Sequence, residues 1–264
     1  MNNKFSGCSS AYLLVSHGSR DPQHQIAVEK LAASVRQQLE ASTVINQYRN
    51  RQDSNLVLVN KPQTPIVAIA QLESTARPLH QSIIQLGLKL IKSGIKSLRI
   101  LPLFLLPGIH VKEDIPAAVN LATEILEETI AIELLPYLGS SLSLTNLIAT
   151  QFTKLNAPAR ILISHGSSRQ GGNRPCEEIA SKLAVDLAYC WVSPSLRSTI
   201  AKIVIQKTKK IAIVPYFLFT GKILKSIAAE IEILQQEFPQ TRFLLGEPLA
   251  ETPELASEII KIIK

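Results

Sequence analysis

The chain has 264 residues, of which 46% are hydrophobic and only 5% aromatic, and its 28 basic and 21 acidic residues give a formal net charge of +7. This length suits one large or two small domains, and the lack of a long apolar run or a leader-like N-terminus predicts a cytoplasmic protein that does not span a membrane. Three cysteines without Cys-x-x-Cys spacing argue against a disulfide framework or a cysteine metal site. The positive charge suits nucleic acid or a small polyanionic ligand; the few aromatics and scattered lysines count against nucleic acid, but charge alone leaves both open.

Short apolar runs alternate with amphipathic stretches along the whole chain. The apolar runs predict strands at 11–15, 66–71, 97–103, 131–135, 160–163, 186–191, 210–216 and 241–245. The amphipathic stretches predict helices near 25–40, 78–93, 111–126, 143–155, 174–184, 195–207, 223–237 and 253–264. This alternation is the signature of right-handed βαβ units, so we predict an α/β fold with parallel sheets covered by helices on both faces.

The same order of predicted strands and helices occurs twice along the chain. The tetrapeptide Ser-His-Gly-Ser follows an apolar run at 16–19 and again at 164–167, and the Leu101–Gly108 segment corresponds to Val214–Gly221. We therefore predict two tandem α/β/α domains, 1–157 and 158–264. Each is expected to be doubly wound around a mainly four-stranded parallel sheet, and the two face a central cleft. The polar stretch 46–63 is predicted to be a loop inserted in the first domain.

Two histidines and a glutamate are predicted at strand ends in the first half. His17 follows the first strand, Glu73 the second, and His110 the third. Ligands of open α/β sheets bind at the carboxyl ends of the strands, so we expect the three side chains at one edge. Two imidazoles can hold a divalent metal and accept protons, and a carboxylate can join or orient them. The alternatives are a structural His-Gly turn, an exposed loop histidine and a solvated glutamate.

The second half lacks this set. Ile223 stands where His110 is expected, and Trp191 approximately where Glu73 is. His165 is thus without a histidine partner, and we predict a single metal site, in the first half, with the second half as scaffold, wall or ligand-binding face. Near these loops lie glycines, which allow a ligand to approach the backbone closely, and hydroxyls and cations, which can bind the carboxylates of a ligand. The predicted ligand-binding residues are Ser16, Gly18, Ser19, Arg20, Arg77, Gly108, Lys112 and Ser167.

These motifs resemble the class II tetrapyrrole chelatases, the sirohydrochlorin chelatase family of the CbiX and SirB type. The resemblance is carried by Leu13–Asp21, Ala70–Pro78 and Leu101–His110, and it spans the whole chain as the long form with two fused repeats. It implies a chelatase that inserts Co2+ or Fe2+ into sirohydrochlorin, in cobalamin or sirohaem biosynthesis. His17 and His110 would be metal ligands and proton acceptors, with Glu73 assisting.

The resemblance also implies partners and alternatives. The partners are the divalent metal and sirohydrochlorin, a macrocycle with eight carboxylates that suits a basic protein. No cofactor is expected beyond the metal substrate, with Ni2+ and Zn2+ as further metals in vitro, and the fused halves imply a pseudo-dimeric monomer. Two other functions stay open: a metal or tetrapyrrole carrier without turnover, and a chelatase for another porphyrin.

Overall fold

Strand and helix alternate through residues 10–51, 64–127 and 129–264, which are the residues that the computed structural model describes. The strands are β1 (Ser10–Ser16), β2 (Ile66–Gln71), β3 (Ser97–Pro102), β4 (Ala131–Leu134), β5 (Ala159–Ser164), β6 (Asp186–Tyr189), β7 (Lys210–Pro215) and β8 (Arg242–Leu245). The helices are α1 (Pro22–Arg51), α2 (Leu79–Lys92), α3 (Ile115–Ile125), α4 (Leu144–Leu155), α5 (Arg174–Leu183), α6 (Leu196–Val204), α7 (Lys222–Glu237) and α8 (Leu255–Ile263). The predicted succession of elements is confirmed.

The strands form two four-stranded parallel sheets with the same topology. One sheet has the order β2-β1-β3-β4 and the other the order β6-β5-β7-β8. In the first sheet Leu13 on β1 pairs with Ala68 on one side and Ile100 on the other. The chain thus passes from β2 across β1 to β3, which places the topological switch point between β1 and β3. The predicted α/β class with tandem parallel sheets is confirmed.

The central strands of both sheets are apolar, and most of their side chains are buried in the hydrophobic core. On β1, Leu14 and Val15 have no exposed surface, and Ile161 and Ile213 are equally buried in the other sheet. Each such side chain contributes about 1.5–3 kcal/mol when fully buried. The strand ends are consequently fixed, and the loops that follow them are presented from a rigid scaffold.

Two compact units divide the described chain. The first unit contains the described residues through Leu103 together with Ile109–Leu138 and Ala256–Lys264. The second unit contains Phe104–Gly108 and Gly139–Leu255. Helix α8 therefore belongs with the sheet of the first repeat and α4 with that of the second, whereas the predicted boundary at 157/158 separates the repeats along the sequence.

Polar contacts tie the two terminal helices into their units. In the first unit the Arg99 guanidinium donates to the Ile263 carbonyl at the end of α8, with 2.9 Å between donor and acceptor. In the second unit the Glu247 backbone N–H donates to the side-chain oxygen of Gln151 on α4 at 3.1 Å. An arginine beside the last carbonyls of a helix satisfies acceptors that have no intrahelical partner.

Helix α1 extends further than the sequence pattern predicted. It runs to Arg51, so residues 46–51 of the predicted 46–63 loop are helical, while residues 52–63 lie outside the described residues. Ala41, Val44, Ile45 and Tyr48 keep the i, i+3, i+4, i+7 spacing of an amphipathic helix, a signal that the predicted helix end near residue 40 did not use. No helix in the described residues combines the length and apolarity needed to cross a membrane.

Candidate metal centre

The side chains of His17, Glu73 and His110 converge at the carboxyl edge of the first sheet. His17 Nδ1 lies 3.9 Å from Glu73 Oε2, and His110 Nε2 lies 3.7 Å from Glu73 Oε1. The two imidazole rings meet edge to face, with their centroids 4.8 Å apart. Each residue offers one ligand atom to a set in which all three atoms lie within 4.8 Å of one another. The predicted grouping at the strand ends is thus present in the structure.

The backbone couples His17 directly to Glu73. The Glu73 N–H donates to the His17 carbonyl at 2.8 Å, and the Leu72 N–H donates to the Ser16 carbonyl at 3.0 Å. Gly18, at φ +97°, packs against this connection so closely that a Cβ would lie 2.1 Å from the Glu73 carbonyl oxygen. Only glycine fits there, because a side chain would clash and the left-handed backbone would be strained. The glycine therefore sets the separation of two of the three candidate ligands.

A π-helical turn, His110–Asp114, presents the third candidate ligand at the start of α3. His110 Nδ1 lies 2.7 Å from Asp114 Oδ2. An ionised carboxylate only accepts hydrogen bonds, so Nδ1–H donates and the Nε2 atom is directed toward Glu73. The sequence reasoning missed Asp114, although its position four residues after a candidate ligand on a helical segment was an available signal. Turns of this type are frequent at functional sites.

His24 on α1 lies near this group but differs electrostatically. Burial lowers its pKa, the nearby His17 imidazole lowers it further, and Asp21 acts in the opposite direction. A lowered pKa reduces the positive charge that His24 would bring near a bound cation. The exposed carboxylates of Glu73 and Asp114, by contrast, attract a cation to the site.

The other predicted ligand-binding residues occupy different environments. Ser16 is completely buried, so its hydroxyl is not accessible to a ligand in this structure. Ser19 accepts the Asp21 N–H at 3.0 Å as part of the turn into α1. Arg20 and Lys112 are exposed. Exposed Arg77 donates to the side chain of Gln85.

The second unit has the same turn without the ligand set. His165 is exposed, its Nδ1 lies 2.9 Å from the Gly166 carbonyl oxygen, and Trp191 is its aromatic neighbour. Ser167 Oγ accepts the Arg169 N–H at 3.2 Å. Among the residues that the structure describes, His17, Glu73 and His110 alone form a group of three with metal-binding spacing.

The arrangement suits reversible binding of a divalent cation. Bonds of about 2.0–2.2 Å to nitrogen and oxygen place neighbouring ligand atoms roughly 3.0–3.6 Å apart. The observed 3.7 and 3.9 Å separations involve different carboxylate oxygens of Glu73, and the set with one ligand atom from each residue is up to 4.8 Å across. The ligands must therefore move closer together to bind an ion, and the Glu73 side chain, 52% exposed, has room to do so. Three protein ligands leave coordination positions open for another molecule. Fold and site together define an α/β protein with a candidate divalent-metal site, open to solvent, at the strand ends of its first sheet.

Comparison with known proteins gives the family. The family model described as CbiX matches residues 11–155 and again residues 159–264. The chain therefore belongs to the CbiX family, with two repeats of the family unit. The matched segments lie on either side of residues 156–158.

Individual relatives agree with this membership. A curated relative, the sirohydrochlorin ferrochelatase of Priestia megaterium, is 26% identical over 182 residues, which cover 63% of this chain and 66% of that protein, just under two thirds of its length. The solved structure of SirB from Bacillus subtilis with Fe3+ matches with a TM-score of 0.72 and 20% identity, covering 97% of this chain and 94% of that one. SirB from Bacillus subtilis subspecies spizizenii in complex with cobalt matches with a TM-score of 0.68 at the same identity and coverage. At this identity, the structural matches establish the shared fold.

Proposed function

We propose that this protein is a sirohydrochlorin chelatase that inserts a divalent metal, Co2+ or Fe2+, into its macrocyclic substrate. The observation that carries the proposal is the convergence of His17, Glu73 and His110 within 4.8 Å at the strand ends of the first unit. Membership of the CbiX family, and relatives named as sirohydrochlorin chelatases, support sirohydrochlorin as the substrate. The protein would act in the cytoplasm as a monomer, in sirohaem or cobalamin biosynthesis.

The metal is a substrate, so the site must bind it and then release it. His17 and His110 hold the cation through imidazole nitrogens, and Glu73 lies between them as a third ligand. Imidazole binds both Co2+ and Fe2+, and the ligand set by itself does not separate the two metals. Exposed ligands with open coordination positions allow the pyrrole nitrogens to replace the protein one by one.

Insertion breaks two pyrrole N–H bonds as four metal–nitrogen bonds form, and two protons leave. A carboxylate and an imidazole that have lost the metal are suitable acceptors near neutral pH. In this proposal Glu73 and the histidines receive the protons and pass them to solvent, to which both Glu73 and His17 are open. No oxidant or reductant is needed, since the metal keeps its charge.

The substrate carboxylates require positive charge around the centre. Arg20 and Lys112 are exposed next to the candidate ligands His17 and His110, and Arg77 lies on the same loop as Glu73. We propose that these three cations contact the carboxylates of the macrocycle. Gly18, Ser19, Gly108 and Ser167 stay predicted ligand-binding positions.

Metal insertion can be followed directly by the absorbance of the macrocycle. Purified protein is incubated anaerobically with metal-free sirohydrochlorin and Co2+ or Fe2+, with Ni2+ and Zn2+ as further metals. We expect a rate above that of metal and macrocycle alone for the wild type. At a saturating concentration of macrocycle, His110→Ala should reduce this rate to the background, and His165→Ala, the matched histidine of the second unit, should leave most of it.

The outcomes separate the candidate functions. Binding of metal or macrocycle without any insertion would indicate a carrier and refute the enzyme. Insertion into protoporphyrin in preference to sirohydrochlorin would indicate a different chelatase. Equal losses in the two histidine variants would refute the assignment of the centre to the first unit.

A further inference from the structure

The second unit keeps the backbone of the metal centre and replaces its chemistry. The Trp191 N–H donates to the His165 carbonyl at 3.2 Å, as the Glu73 N–H does to His17. The Cys190 N–H donates to the Ser164 carbonyl at 3.0 Å, in the same way as Leu72 and Ser16. Trp191 thus occupies the structural position of Glu73, and an indole stands where the first unit has a carboxylate.

The turn that carries His165 is as closely packed as its counterpart. Gly166 has φ +82°, and a Cβ there would lie 2.7 Å from Val192 Cγ2 and 2.9 Å from Tyr189 Cβ. The imidazole of His165 and the indole of Trp191 are held with their centroids 6.1 Å apart and their planes inclined by 53°. The unit has lost the ligands for a cation but still presents two rings at the strand ends.

Trp191 is the only tryptophan of the chain, and 68% of its surface is exposed. A large amphipathic ring usually finds a packing partner, and tryptophan is enriched in binding surfaces relative to the rest of a protein surface. A rigid indole offers its face to planar conjugated ligands, as aromatic side chains do when they stack on nucleobases.

Three of the four loops at the carboxyl edge of the second sheet contain no carboxylate, and the fourth, after β8, contains exposed Glu247. The loops after β5, β6 and β7 lie at one edge of the parallel sheet, and none of the segments 165–173, 190–195 and 216–221 contains an acidic residue. Exposed Arg169 follows β5, and exposed Lys222 begins α7 after β7. Around the metal centre, by contrast, Glu73 and Asp114 face the histidines. An aromatic face with cations suits a planar polyanion rather than a metal ion.

We propose that Trp191 and His165, together with Arg169 and Lys222, form a binding face for the conjugated ring and carboxylates of sirohydrochlorin. The indole stacks on the plane of the macrocycle, and the two cations contact its carboxylates. The identity of the ligand rests on the proposed function, whereas the position and chemistry of the face rest on the second unit alone. The face contributes to macrocycle affinity and leaves metal affinity unchanged.

Equilibrium dialysis of metal-free sirohydrochlorin against the full chain tests the proposal, with the macrocycle quantified by its own absorbance. We expect Trp191→Ala to raise the Kd about 10-fold, as loss of one stacking contact does. Trp191→Phe should retain most of the affinity, because a phenyl ring still stacks. Ile205→Ala is the matched control, since Ile205 is an apolar side chain of the same unit and is 81% exposed.

Measurements with separate ligands distinguish this face from the metal centre. Co2+ alone should bind the wild type and Trp191→Ala with equal affinity. An unchanged macrocycle Kd in Trp191→Ala, or a loss of Co2+ affinity, would overturn the proposal even if the protein inserts metal. If the wild type does not bind sirohydrochlorin, the proposed function itself fails. Thermal unfolding midpoints of both Trp191 variants identify any loss caused by misfolding.

Discussion

Substitution of Gly18 by alanine tests how the backbone sets the metal centre. Gly18 combines a left-handed backbone, φ +97°, with a Cβ position only 2.1 Å from the Glu73 carbonyl oxygen. Gly94 in the same unit has φ +73° and no atom within 4 Å of its Cβ position. Comparing Gly18→Ala with Gly94→Ala therefore separates two losses in the free energy of unfolding: the cost of a left-handed backbone and the cost of a steric clash.

The expected magnitudes follow from these environments. An alanine in a left-handed conformation costs about 1–2 kcal/mol, partly offset by about 0.4–1 kcal/mol from the stiffer unfolded chain. We therefore expect Gly94→Ala to lower the free energy of unfolding by about 1 kcal/mol. In Gly18→Ala the Glu73 carbonyl must also move away until contact is normal. This movement breaks the 2.8 Å hydrogen bond between Glu73 and His17, so the total is about 3 kcal/mol.

The assay must report on the unfolding of the first unit. The fluorescence of Trp191 does not serve this purpose, because Trp191 belongs to the second unit. Hydrogen exchange of β1 gives the opening free energy of the first unit, and equilibrium dialysis of Co2+ gives the affinity of the centre. Gly18→Ala should lower both, whereas Gly94→Ala should change stability with little effect on Co2+. Equal stability losses in the two variants, with Co2+ affinity retained in Gly18→Ala, would refute the coupling between Gly18 and Glu73.

Two further predictions concern a side chain beside the metal centre and a buried thiol. Asp114→Asn should weaken Co2+ binding about 10–100-fold, because the carboxylate that orients His110 is lost, whereas Glu113→Gln on the same turn should have little effect in the same dialysis assay. If Asp114→Asn and Glu113→Gln weakened Co2+ binding by similar factors, the cause would be the lost negative charge and not the orientation of His110. Burial raises the pKa of Cys176 to about 11, so the folded second unit keeps a proton that the unfolded chain loses above about pH 9. Its stability should decline between pH 9 and 11, more steeply in the wild type than in Cys176→Ala by urea unfolding followed through Trp191; equal slopes would contradict this account.

The fold was predictable because local patterns and packing agree in most of the chain. The apolar run that begins at Ile66, directly after Pro65, is observed as β2 (Ile66–Gln71) with the predicted bounds. Helix α1 departs from its prediction because the polar stretch from Asn46 onward was interpreted as a loop, although Ala41, Val44, Ile45 and Tyr48 still have helical spacing. The grouping of α8 with the first unit was also unpredictable, since a sequence repeat identifies similar segments and not the segments that they contact.

The candidate site was predictable to the level of strand ends. His17, Glu73 and His110 follow three strands of one parallel sheet, and this topology alone requires them to share an edge. The orientation of His110 depends on a π-helical turn and on Asp114, which apolar periodicity does not reveal. Ser16 was predicted to face the ligand, but as the last residue of a central strand it is buried between its neighbours.

During synthesis, β1–β4 leave the ribosome long before residues 256–264 do. The carbonyls that Arg99 contacts at the end of α8 therefore reach the first unit only after all of β5–β8 has been translated. A nascent chain carries His17, Glu73 and His110 early, yet it finishes the unit that supports them last. Translation that stops within the second repeat before residue 256 thus leaves the candidate metal centre in a unit that lacks helix α8 and its contact with Arg99.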